Sequence, residues 1–304
     1  MKSTTARRTT LPVAVAAALT GVTACGFGGP SRGPDGAGGA AERDAARMSS
    51  IAALRSADAS TAEADSARVS MTTSIGTLMS MKGSGTVAWG RGLTGRLTLT
   101  YTGGTALETM RRVGTTSMEA RYLPDAYYAR MGDVFAEQAG GGRHWIRYRY
   151  EDLGRLAGGS GAYLREQLRN STPNQTVKLL LASGDVRRVG EATIRGERTT
   201  HYRGTVNIAD FAGRSSNLPR SELEALRRQL SQAGVTTESI DLWINDRSLL
   251  VKKVERADTA AGTMTNTAYY SDYGIKVAVQ EPPADDTRDF KDLMRTQGSA
   301  GGGS

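Results

Sequence analysis

The sequence predicts an α+β fold: one continuous antiparallel sheet of about 8–11 strands, wide enough to curl, with a few helices able to cover one face. Three observations carry that expectation. Apolar and polar residues alternate with a period of two over much of the chain after residue 69; glycine-rich breaks separate these runs; and helical periodicity is confined to a few short stretches. Breaks at intervals of roughly 10 to 20 residues describe a meander of hairpins, because βαβ units need longer crossovers.

The N-terminal segment has the parts of a secretory leader. Lys2, Arg7 and Arg8 form a basic start, an apolar middle runs from Leu11 to Val22, and small residues precede Cys25. The apolar run is about 12 residues, whereas a bilayer span needs about 20, so residues 1–24 read as a signal peptide and not as a stable membrane helix. The Arg7-Arg8 pair leaves the export route, Sec or twin-arginine, open. Cys25 is the only cysteine of the 304 residues. It can form no intrachain disulfide, no Cys-x-x-Cys pair and no multi-thiolate zinc site, which leaves chemistry that one sulfur can do. Val22-Thr23-Ala24-Cys25 resembles the bacterial lipobox, which implies an acylated Cys25 and cleavage just before it. The alternative is an ordinary leader with a cysteine at its cleavage site.

Residues 25–41 read as the lipidated cysteine and a tether. The run GFGGPSRGPDGAGGAA from Gly26 has almost nothing to bury, and such a coil reaches roughly 20 Å. Two or three acyl chains would make attachment effectively permanent, at about 0.8 kcal/mol per buried methylene.

The body, residues 42–290, is long enough for a sizeable core. The leader holds three of the 39 basic residues, so the net charge falls from +8 to +5 when it is removed. The remaining Arg and Lys are scattered among acids with no basic helix or run, which argues against nucleic acid as a partner. A mildly basic body held beside an anionic membrane could still be attracted to it.

Element by element, Glu42–Ala64 is alanine-rich without Gly or Pro and predicts a helix, with Met48, Ile51, Ala52 and Ala59 as its apolar stripe. Val69 to Ile75, Leu97 to Tyr101 and Met118 to Tyr122 alternate and predict half-buried strands. A helical interval follows: Asp152–Arg169, broken at Gly158-Gly159, then Asn174–Ser183 after Pro173, ended at Gly184. Strands resume at Val186, and Tyr202 to Ile208 alternates. A helix is expected from Pro219 to Ala233, with Leu223, Leu226 and Leu230 on one stripe. Ile240 to Ile244, a turn at Asn245-Asp246-Arg247, Leu249 to Arg256 and Thr263 to Tyr270 complete the sheet. Residues 291–304 read as a flexible tail.

Local support for catalysis or metal binding is missing. The two histidines, His144 and His201, have no second His at ligand spacing and suit surface or sheet packing, and no Gly-x-Ser-x-Gly elbow occurs. Gly90-Arg-Gly-Leu-Thr-Gly95 matches G-x-G-x-x-G, but a strand pattern follows it, so it reads as a hairpin turn. Asp285, Asp286 and Asp289 lack a calcium-loop pattern and read as a solvated turn. No enzyme, cofactor or metal is implied.

Several pieces taken in order carry a family resemblance. They are Tyr127-Tyr-Ala-Arg-Met131, Trp145, Gly184-Asp-Val186, Val189-Gly-Glu191, Ile194-Arg-Gly196 and Thr199 to Gly204. Further on come Ile240 to Asn245, Leu250 to Val254, Tyr270 to Gly274 and Pro282-Pro283. Joined to the lipobox, they make the chain similar to actinobacterial surface lipoproteins of the LppX/LprG type, relatives of the LolA/LolB carriers. The resemblance implies a half-open antiparallel β-barrel over a helical plug, holding acyl chains or lipidated molecules between sheet and helices. It transfers no ligand signature residue by residue. The apolar strand positions Leu97, Leu99, Tyr101, Met118, Tyr127 and Met131, with Tyr202, Val206, Ile208, Leu242 and Ile244, are the cavity candidates, and plain core is the alternative for each. Ten methionines against four phenylalanines suit a pliable interior.

Two functions stay open. One is a lipid-anchored protein on the extracytoplasmic face of the cell membrane that binds or carries a lipid or other hydrophobic ligand. The other is an interaction or sensory lipoprotein whose barrel is filled and whose loops meet an envelope protein.

Overall fold

The computed structural model describes residues 38–156, 172–207 and 236–300. The leader, Cys25, Ile208, the expected helix Pro219–Ala233 and most of the expected helical interval before Arg169 lie outside the described residues. In chain order the elements begin with α1 (Gly38–Glu63), β1 (Ser66–Ile75), β2 (Met79–Ala88), β3 (Thr94–Gly103), α2 (Gly104–Arg112), β4 (Ser117–Tyr122) and β5 (Ala126–Arg130). Next come the short α3 (Asp133–Phe135), which runs into a π-helical turn Ala136–Gly140, then β6 (Trp145–Arg149), α4 (Tyr150–Leu156) and α5 (Pro173–Ser183). The chain continues through β7 (Arg187–Ile194), β8 (Glu197–Asn207), β9 (Thr237–Asn245), β10 (Leu250–Thr259), β11 (Gly262–Ser271), β12 (Thr287–Asp289) and α6 (Phe290–Ala300).

Among the described residues the twelve strands form one sheet in the order β12-β6-β5-β4-β3-β2-β1-β11-β10-β9-β8-β7. Two meanders are thus joined where β1 pairs with β11. The sheet is curved and not closed, and its pairs are antiparallel except at one edge, where β12 runs parallel to β6. The twelfth strand exceeds the expected count because three residues are too few to show a period of two.

The turns follow from local chemistry. Pro173 occupies the first turn of α5, where a missing N–H costs nothing, and Gly184 ends it at φ +67°. The Asn245 side-chain oxygen accepts from the amides of Arg247 at 3.1 Å and Leu249 at 2.9 Å, closing the β9–β10 turn. Gly90 to Leu93 lie in the connection between β2 and β3, and Thr94 and Gly95 already belong to β3, in keeping with the strand-like sequel.

One face of the sheet, the inner face, is covered by α1 and α5. Leu54 and Ala57 of α1 and Val177 and Leu180 of α5 are fully buried against Val69, Leu97, Ile240, Leu242 and Tyr270. The buried stripe of α1 is Ser50, Leu54, Ala57 and Thr61; of the expected stripe only Ile51 packs against the core, while Met48 is 63% exposed and Ala52 and Ala59 face solvent. An alanine carries too little area to point a helix. Close packing on a neighbouring helix instead selects the face with small residues, and Thr61 also accepts, through its backbone carbonyl, from the Trp89 indole at 3.1 Å.

The C-terminal region departs from the expected solvated turn and flexible tail. Asp286 accepts from the His144 amide at 2.8 Å and lies 2.8 Å from its ring Nδ1, and Arg147 donates two bonds to Asp289, at 2.6 and 2.8 Å. Residues 291–300 continue as helix α6, held by Lys291 on Asp152 at 3.1 Å and by a buried Leu293. Acids that look solvated in sequence are here a clasp onto β6, because their partners lie about 140 residues away. At the other end, α1 begins at Gly38, inside the segment expected to be tether.

Candidate functional site

Cross-strand register collects a set of aromatic and thioether side chains on the inner face of β2 to β6. Tyr101 stands opposite Met81, Leu99 opposite Met118, Tyr122 opposite Tyr127, and Tyr127 opposite Tyr148. Phe290 of α6 completes the row. Ring centroids lie 5.1 Å apart for Tyr122 and Tyr127, 5.6 Å for Tyr127 and Tyr148, and 4.7 Å for Tyr148 and Phe290, within the range where aromatic pairs attract.

These side chains are only partly buried by area. Yet burial alone pushes the Tyr122 phenol up to about 12, and burial together with the neighbouring tyrosines drives Tyr127 higher still. Tyr148 moves in the same direction, again chiefly by burial. These rings keep some accessible area while their hydroxyls are held away from water at a crowded part of the inner face. Thioethers and phenol rings make this wing apolar, adaptable and supplied with a few polar tips.

The sequence-nominated positions divide into two groups. Tyr101, Met118 and Tyr127 belong to this partly open wing. Leu97, Leu99, Tyr202, Val206, Leu242 and Ile244 are buried in the central cluster with the chain's own helices, Leu242 at 0% exposure. Met131 falls just past the end of β5, where its amide donates to the His144 carbonyl at 2.7 Å, and is not part of a strand face. Sequence reasoning missed Met81, Tyr122, Tyr148 and Phe290. Alternation with Arg121 and Arg147 marked the two tyrosines, whereas Gly83 and Gly85 hid the period in β2.

A charged group is built into the inner face beside this core. Lys253 donates to Glu255 at 2.9 Å and to the Thr176 hydroxyl at 2.8 Å; Thr176 and Asn266 both donate to Glu255, at 2.7 Å each. Burial would push the Lys253 ammonium down, but the Glu255 carboxylate outweighs it and holds the pKa above the usual value. For Glu255, burial is outweighed by Lys253 and the hydroxyl and amide donors, and the carboxyl lies below its ordinary range. Glu238, diagonal to Glu255 on β9, is different. Burial and the Glu255 charge raise it to about 7. Both protonation states of Glu238 are therefore populated near neutrality, at the margin of an apolar face.

The outer face has its own hub. Asp241, 1% exposed, receives Arg203 at 2.6 Å and Arg256 at 3.1 Å and lies 2.6 Å from His201 Nε2. Those donors outweigh its desolvation and hold its carboxyl below the usual range. The His201 ring lies flat on Trp243, 4.2 Å away at 7°, which makes it a packing residue of the sheet. Among the described residues there is no cluster of three metal-ligating side chains and no helix long and apolar enough to cross a membrane.

No family model matches the chain. It is 53% identical over 312 residues to a Streptomyces coelicolor protein named as a putative lipoprotein, covering 98% of this chain and all of that one. It is 47% identical over 257 residues to an uncharacterized 31.2 kDa Streptomyces griseus protein from the rplA–rplJ intergenic region, covering 84% of each. Among solved structures it is similar to the Mycobacterium tuberculosis lipoprotein LppX, with a TM-score of 0.47 and 15% identity over 77% of this chain and 99% of the other.

Proposed function

This chain belongs to the family of Streptomyces proteins that includes the S. coelicolor putative lipoprotein, and from that membership we propose a lipid-anchored, extracytoplasmic binder or carrier of a hydrophobic molecule. Acyl chains on Cys25 hold it at the membrane. An acyl chain or similar apolar group enters the recess of Tyr101, Met118, Tyr122, Tyr127 and Tyr148. Burial of its surface there, at about 25 cal/mol per Å², drives binding.

The observation that carries this reading is the coexistence, in Tyr122 and Tyr127, of accessible area and poorly solvated hydroxyls. Met81 and Met118 support it, since thioethers repack around irregular chains at little cost. The test is native mass spectrometry of the full chain extracted in mild detergent, together with titration by a fluorescent fatty acid. A reproducible apolar adduct and saturable uptake are expected. Repeated absence of both rejects the carrier.

One observation favours a second reading, an interaction lipoprotein with a filled interior. On the β8–β9 side the inner face is already occupied: Leu242, Ile240 and Leu180 are fully buried by one another and by α5. Under that reading the Tyr–Met wing is packing and the same titration shows no uptake.

A further inference from the structure

The outer face of the central strands carries a groove that none of the foregoing uses. Its volume is about 320 Å³, and its lining combines Lys82 and Arg195 with the hydroxyls of Ser70, Thr72, Ser84 and Thr98 and the Tyr269 ring. Register places the lining in two rows. Tyr269, Ser70, Ser84 and Thr98 follow one another across β11, β1, β2 and β3, and Thr72, Lys82 and Thr100 form the next row. Neighbouring strands lie about 4.8 Å apart and same-face neighbours along a strand about 7 Å apart, so Lys82 stands within side-chain reach of the first row.

The charge of this groove is not neutralised by described acids. Glu119, which borders Thr98, is taken by Arg96 at 2.8 Å and Arg121 at 2.7 Å, and Asp272 is taken by Arg68 at 2.8 Å. Among the described residues no carboxylate pairs with Lys82 or Arg195. Arg195 instead donates to the Ser70 hydroxyl at 2.8 Å, with its guanidinium 4.0 Å from the centre of the Tyr269 ring.

Arg195 reaches this place from the tip of the β7–β8 hairpin, where it sits at φ +51° followed by Gly196 at φ +85°. Such a two-residue turn favours Asn-Gly or Gly-Gly, and a long side chain in the left-handed region is disfavoured. The hairpin tip thus accepts strain and extends a cation over a hydroxyl-lined face.

We infer that this groove binds a phosphate group, held by Lys82 and Arg195 and by hydroxyl donors from Ser84 and Thr98. A compact ammonium with freely turning hydroxyls suits a tetrahedral oxyanion. A sugar ring finds no stacking platform, because Arg195 already covers Tyr269. The phosphate belongs either to an anionic lipid head group or to a soluble phosphate ester. This inference stands apart from the inner-face ligand and does not need it.

The experiment is calorimetric titration of the full chain in neutral detergent with glycerol phosphate and with short-chain phosphatidylglycerol, using short-chain phosphatidylcholine as the blank. Lys82→Gln should weaken binding roughly tenfold, the loss of one charge-assisted contact. Lys178→Gln, on α5 at the opposite face of the sheet and 3.9 Å from Asp58, should leave it unchanged. Binding of both phosphates with that pattern supports a general phosphate site, and binding of phosphatidylglycerol alone assigns the lipid head group. No binding of either, or binding indifferent to Lys82→Gln, overturns the inference.

Discussion

The rings of Tyr127 and Tyr148 face each other across β5 and β6, with centroids 5.6 Å apart and planes inclined at 44°. Tilted rings at that distance attract without closing the space above them. On the proposed function, that space takes the ligand. Met118, one strand over on β4, lies on the same face. Met118→Trp should fill the recess, cutting fluorescent fatty-acid uptake at least tenfold while the melting temperature moves by only a few degrees, as volume changes at a pliable, partly open site cost little. Unchanged uptake in a folded variant removes the wing as the binding site.

The raised pKa of Glu238 fixes the sign of a pH dependence. Its ordinary value is 4.5 and its folded value is about 7. The folded state therefore binds the proton more tightly, and stability on this account falls as pH rises from about 4.5 through 7. Glu238→Gln should match the parent at pH 4.5. By pH 8 it should be more stable, by an amount of order 2 kcal/mol. Urea unfolding at both pH values measures this, and equal stability differences at the two would show that Glu238 titrates normally.

Asp241 works in the opposite direction. Its carboxyl lies below the usual range because Arg203 and His201 outweigh its desolvation. The resulting stabilisation is complete above about pH 4, the ordinary aspartate value, and is lost as pH falls through the lower folded value. Asp241→Asn should thus cost stability at pH 7 and little at the acid end. A penalty independent of pH would point to lost packing alone.

Two glycines separate backbone from side-chain crowding. A Cβ on Gly204 would lie 1.6 Å from the Asp185 carbonyl oxygen, part of the α5–β7 connection, whereas one on Gly83 would meet the ends of Met71 at 2.8 Å and Leu99 at 3.0 Å. Backbone cannot step aside; a thioether can. Gly204→Ala should cost about 3 kcal/mol or more, and Gly83→Ala about 1 kcal/mol or less. Comparable losses in thermal melts would contradict the close approach at Gly204.

For the anchor, Cys25→Ser should leave the protein released or unprocessed, because no other thiol can carry the acyl chains. Fractionation and intact mass decide it. A mature-length serine variant that still sediments with membranes rejects lipidation as the attachment.

Much of the sheet was legible because its signals are local. Alternation marked β1, β3, β4, β8 and β9, and Pro173 and Gly184 bracketed α5. Glycine erased the pattern in β2, where Gly83 and Gly85 hold inner-face positions that larger neighbours fill. The stripe of α1 was misread since alanines do not declare a direction. Asp286 and Asp289 look like solvated acids in the sequence because His144 and Arg147 come near them only when the C-terminal segment folds back on β6.

By itself the sequence determined the period of most elements, the glycine breaks between them and the single thiol available for acylation, since each depends on residues within a few positions of one another. Tertiary structure alone decided which apolar side chains became filled core and which stayed partly exposed. It also decided that Lys253 and Glu255 would be buried together and that Arg195 would meet Ser70. Those outcomes depend on how a twelve-stranded sheet curves and on which helices reach it, and burial is a property of the volume around a residue, not of its place along the chain.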